Sequence, residues 1–104
     1  MSVPEQIIRA KAFARIADIF KIPINILRDD SKFGEDLKAS FVSDFRHNEF
    51  DIVDQDIHDV ADRKIAEELG KGIVIIQTVE EYCDHMVRCY ETNPEDVTQI
   101  LKLL

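Results

Sequence analysis

The sequence predicts an all-α domain: a bundle of about four helices, with a long loop after the first and a short extra helix at the C-terminal end. Three observations predict it. Only three glycines and three prolines occur in 104 residues, too few for a turn-rich β sandwich. Apolar residues recur at three- and four-residue steps through most of the chain. Helix-start signatures stand at Thr78 and Asn93. The length suits a single domain over residues 1–104, and a hydrophobic content of 45% supplies its core.

The first helix is predicted over residues 4–20. Ser2 can cap it, Pro4 suits its first turn, and Glu5 sits at the positive end of its dipole. Ile8, Ala12, Ile16, Ile19 and Phe20 form its apolar face. Pro23 then blocks continuation. "IPINILRDDSKFGEDL" (22–37) carries Ile22, Ile24, Ile26, Leu27, Phe33 and Leu37 without a helical period. So apolar a loop must lie on the core, its backbone groups satisfied by short turns and by Asp29, Asp30 and Ser31.

A second helix is predicted from Ala39 or Ser40 to near Phe50, its stripe built on Phe41 and Phe45, which are expected to pack on Ile16, Phe20 and Val79. "DIVDQD" (51–56) reads as a turn, with Asp56 capping a third helix over 57–69 that ends at Gly70 and Gly72. "IVIIQ" (73–77) reads as an extended segment buried against the helices. Thr78 and Glu81 make a capping box for the next helix, whose stripe is Val79, Tyr82, Cys83, Met86, Val87 and Tyr90. Asn93 as cap and Pro94 at the first position start the last helix, which folds Ile100, Leu101, Leu103 and Leu104 onto the body.

The 21 acidic and 13 basic residues leave a net charge of −8. Such a surface repels nucleic acid and anionic lipid and suits partners with basic patches. No P-loop, Gly-rich turn before a helix or basic aromatic patch is present. The first twenty residues are interrupted by charges, and the longest apolar run, "GIVII" (72–76), is far too short for a membrane span. The protein is expected to be cytoplasmic and monomeric. Cys83 and Cys89 lie six residues apart, roughly 240° net around a helix, which disfavours a disulfide between them.

His47, Asp51, Asp54, Asp56, His58, Asp59 and Asp62 cluster in sequence. His58 and Asp62 share a face at i, i+4, a spacing that could serve a metal-dependent hydrolase. The spacing fails the calcium-loop pattern, and the cluster reads as a solvated acidic turn. Cys83, His85 and Cys89 with His58 could be assembled into a zinc site, but they are read as not sharing a helical face, which disfavours it.

The order of elements resembles the acyl carrier protein family over roughly residues 5 to 88. Ser31, Phe33, Glu35, Asp36 and Leu37 match an S-x-F-x-E-D-L segment typical of the loop before the modified serine. Glu49, Phe50 and Asp54 loosely match the segment after the family's second helix, and Thr78–Val79 match the opening of its last helix. The resemblance implies phosphopantetheine attached to Ser40 and carrying an acyl or related group as a thioester. It implies a protein that does no chemistry itself. Its partners would be a phosphopantetheinyl transferase and acyl-transferring or synthase enzymes, whose basic surfaces meet Asp44, Glu49 and Asp51. Lys38 and Ala39 stand where the family has a glycine and an acid, with one position fewer. Ser40 therefore has two readings: an attachment site, or an N-cap worth about 0.5–2 kcal/mol over Ala. In the second, the protein is an arm-less acidic binding module.

Overall fold

The computed structural model describes residues 3–37 and 49–103. Among them are five α-helices, α1 (Glu5–Phe20), α2 (Glu49–Asp59), α3 (Arg63–Gly70), α4 (Val79–Thr92) and α5 (Pro94–Leu101), and a 3-10 turn at Ile24–Ile26. No strand forms among the described residues, only two isolated bridges, Lys32 to Thr78 and Phe33 to Leu37. The fold is an all-helical bundle in which α1 packs most extensively on α4 and α4 on α5.

The helix α1 buries the predicted stripe of Ile8, Ala12, Ile16 and Ile19, and also Ala17. It ends three residues before Pro23, with Lys21 in the left-handed region at φ 55°. That conformation turns the Lys21 and Ile22 N–H groups back onto the last carbonyls of the helix. Pro4 occupies the cap position, and the expected cap Ser2 lies outside the described residues.

The loop after α1 lies on the core only in part, since Ile24 and Ile26 are 52% and 61% exposed. Leu27 and Leu37 are buried, and the Ser31 hydroxyl accepts from the Arg28 N–H at 3.1 Å. Phe33 stacks on Phe20 with centroids 6.1 Å apart, and Phe50 meets Phe20 at 5.9 Å. The expected packing of Phe41 and Phe45, and the start of a helix at Ser40, lie outside the described residues.

Three expectations are corrected. Residues 51–56 are helical and form most of α2. Val53, Asp56 and Ile57 follow a helical stripe and are buried together. Aspartates suggested a turn, but Asp56 takes a core position because distant partners satisfy it. Asp56 is therefore no cap, and the predicted helix over 57–69 is divided between the end of α2 and α3. Asp62 caps α3, accepting the Ile65 N–H at 2.8 Å.

Residues 73–77 are not buried, and their start is a bend in which the Ile73 and Val74 N–H groups turn back onto the Glu68 carbonyl at 2.9 and 3.3 Å. Ile73 is 69% exposed and Ile75 58%, while Ile76 packs partly on the core. Helices on both sides supply the core without them. Asn93 stands between α4 and α5, but its side chain makes no cap bond. It donates instead to the Val60 carbonyl at 3.1 Å, tying the α4–α5 corner to the end of α2. The capping box at Thr78 and Glu81 is present with both of its hydrogen bonds.

Candidate functional site

Two distant stretches of sequence, Asp29–Leu37 and Gln77–Glu81, meet in one joint. A helix leaves its first backbone donors without partners inside the helix. In α4 the Val79 N–H donates to the Ser31 carbonyl at 3.1 Å and the Glu80 N–H to the Asp29 carbonyl at 2.8 Å. The Glu81 N–H donates to the Thr78 hydroxyl at 3.2 Å. The Phe33 N–H donates to the Gln77 carbonyl at 2.9 Å. The first turn of α4 is thus satisfied largely by the loop, and the loop's carbonyls by α4.

Within the loop, Gly34 adopts φ 92°, and its N–H donates to the Leu37 carbonyl at 2.7 Å. The Asp36 carboxylate accepts the Lys32 N–H at 2.9 Å. These bonds close a tight turn that delivers buried Leu37 to the body three residues before Ser40. Beside it opens a groove of about 590 Å³, with Phe20, Ile22, Leu27 and Leu37 in its lining and Arg28 and Glu35 among its charged groups.

Ser40 and Asp44 lie outside the described residues. Glu49 and Asp51 occupy the first turn of α2, where a helix dipole favours acids. Asp51 is exposed, as are Asp54 and Asp59 further along α2.

The His/Asp cluster is dispersed by the fold. His47 lies outside the described residues. His58 Nδ1 lies 3.0 Å from the Asp54 carbonyl and 3.6 Å from the Asp54 carboxylate. Asp62 is engaged as a cap, and its bond from Ile65, then that from Thr92, lowers its pKa. Among the described residues no group of three His, Cys, Asp or Glu side chains could hold a metal ion.

Cys83 and Cys89 are both free and buried, and burial pushes each thiol up to about 12. Neither has the accessible, electropositive setting of a nucleophile. The reading of separate faces holds for the two cysteines but not for His85 and Cys89. These stand at i, i+4, with Cys89 Sγ 3.5 Å from His85 Nε2.

Sequence reasoning missed the polar group at the centre of the bundle. Asp56, 4% exposed, receives Arg15 Nε at 2.9 Å, Arg15 Nη2 at 3.1 Å and the Tyr82 hydroxyl at 2.9 Å. The arrangement joins α2, α1 and α4. Its side-chain hydrogen bond to Asp56 raises the Arg15 pKa, and burial pushes the Tyr82 hydroxyl well above the ordinary tyrosine range. A signal existed in the spacing of Val53, Asp56, Ile57 and Val60, which puts an acid in line with three apolar residues. The arrangement ties three helices together.

Comparison with protein-family models, curated proteins and solved structures finds no match to this chain. Among the described residues no helix is long and apolar enough to cross a membrane.

Proposed function

We propose that this chain is an acyl carrier-like protein that holds an acyl or related group as a thioester on phosphopantetheine attached to Ser40. The observation that supports the reading is the joint between the loop and α4. Two motifs that carry the family resemblance, Ser31–Leu37 and Thr78–Val79, are bonded to each other through the Val79 N–H and the Ser31 carbonyl. A carrier needs a rigid body that holds the attachment segment in a constant place for its enzymes. In this reading the turn ending at buried Leu37 is the body side of that segment.

In the attachment step a separate transferase would direct the Ser40 hydroxyl at the pantetheine-side phosphorus of coenzyme A. An O–P bond forms, the pyrophosphate bond breaks, and adenosine 3′,5′-bisphosphate leaves. The hydroxyl proton passes to a base of the transferase. The arm supplies a thiol for the thioester, and the chain supplies position and charge. Net charge −8, with Asp44, Glu49 and Asp51 along one segment, suits the basic surfaces of a transferase and of acyl-transferring or synthase enzymes. The reading places the protein in the cytoplasm as a monomer that catalyses nothing itself.

Intact mass spectrometry tests it. Incubation with coenzyme A and a broad-specificity phosphopantetheinyl transferase should add one phosphopantetheine group. Ser40→Ala should abolish the gain and Ser43→Ala should keep it. No gain with several transferases would leave the arm-less acidic module as the better account, with the exposed Asp51, Asp54 and Asp59 of α2 as its surface.

A further inference from the structure

Of the two described histidines, His58 is exposed and His85 is 4% exposed. His85 Nε2 lies 2.8 Å from the carbonyl of Ile57. A carbonyl only accepts, so Nε2 carries the hydrogen and Nδ1 of the neutral ring is an acceptor. The Ile57 carbonyl is among the last of α2, which has no successor turn to bond it. The imidazole therefore does for the end of α2 what a cap would do, from the middle of α4.

The surroundings favour the neutral ring. The charges that act on it are those of His58 in α2 and Arg88 in its own helix, Cys89 lies against the ring, and Glu68 of α3 pairs with Arg88 at 2.8 Å. Asp62, at the start of α3, acts on neighbouring Cys89. Among the described residues no carboxylate bonds the ring, and no charged group of α1 or α5 is hydrogen-bonded to it. Burial depresses its pKa most, Arg88 and His58 add to that, and the bond to Ile57 opposes it.

We infer that His85 makes the joint between the end of α2 and α4 acid-sensitive, so that protonating its ring releases this end of α2 in mildly acidic solution. The proton adds at Nδ1. The Nε2–H bond to Ile57 survives, but the new N–H finds only the Cys89 sulfur, 3.9 Å away and a weak acceptor. A cation would then be buried near Arg88, and Glu68, the carboxylate on that side, is already engaged by Arg88 at 2.8 Å, so a charged ring costs far more here than in water. The opened form, with the ring in water, binds the proton at the ordinary value of 6.5. Because the closed value is lower, the joint is at full strength above that pH and weakens as the pH falls through the window below it. The inference does not depend on the carrier reading.

The test is amide hydrogen exchange by NMR on the intact chain, from about pH 7.5 to about pH 5.5, with the histidine ring resonances followed in the same samples. Protection factors, corrected for intrinsic exchange, should fall for residues 57–60 by up to about tenfold per pH unit below 6.5. The His85 ring should titrate below the ordinary histidine value. His85→Gln keeps a side-chain N–H for the Ile57 carbonyl and has no titration, and it should remove the pH dependence. A His85 ring that titrates at or above 6.5 in the unmutated chain overturns the inference. So does an undiminished loss of protection in His85→Gln. Should that variant fail to fold, the ring titration of the unmutated chain decides alone.

Discussion

Tyr82 donates its hydroxyl hydrogen to Asp56 in the core at 2.9 Å, across a sequence separation of 26 residues. The same carboxylate takes two hydrogen bonds from Arg15, 41 residues away. All buried side-chain polar atoms among the described residues have a partner. Removing one member of a satisfied buried group is more harmful than replacing the whole group, because the others lose their partner without regaining water.

Asp56→Ala should therefore destabilise the fold by about 3 kcal/mol, since it leaves Arg15 and the Tyr82 hydroxyl without their acceptor. Tyr82→Phe should cost only about 1–2 kcal/mol. Urea denaturation checks both values. An Asp56→Ala variant as stable as the parent would mean that the tie contributes nothing.

The loop–α4 joint should respond to its cap. Thr78→Ala should lower stability by about 1 kcal/mol and Thr78→Ser by less. Hydrogen exchange should accelerate at the Val79 and Glu80 amides, which the loop carbonyls hold, and at Glu81, which the Thr78 hydroxyl holds. Acceleration confined to Glu81 would show that loop and helix start are independent.

Asp62 offers a pH-dependent cap. Its folded pKa is lowered, so its stabilisation is fully present above the ordinary aspartate value of 3.8 and is lost as the pH falls through the folded value. Asp62→Asn, which keeps a side-chain acceptor for the Ile65 N–H, should flatten that part of the acid-stability curve without changing its neutral end greatly. An unchanged acid limb in the variant would contradict the assignment.

Both cysteines should resist thiol reagents in the folded protein at neutral pH, because burial removes access and pushes each thiol up to about 12. Both should react at once in denaturant. Fast modification of either thiol in the native protein would contradict the packing of α4.

Ile73→Ser and Ile75→Ser should each change stability by less than about 0.5 kcal/mol, because both side chains are more than half exposed. A loss of several kcal/mol at either position, read by thermal or urea denaturation, would restore the buried placement that the β-branched run suggested.

The sequence alone determined the helical class, the core face of α1, the capping box at Thr78 and Glu81, and the separation of the two cysteines. Each rests on signals within one or two helical turns, where the 3.6-residue period and cap chemistry act. It determined less of the candidate site. The matching residues from Ser31 to Leu37 and at Thr78 and Val79 were legible, but their meeting was not. That joint is made of backbone carbonyls, which carry no side-chain signature. Only the tertiary structure decided that Asp56 belongs in the core, because a buried acid depends on Arg15 and Tyr82 arriving from other helices. It also turned Ile73 and Ile75 outward, although their composition suggested burial. Propensity describes what a segment can form; which face is covered depends on which elements come to lie against it.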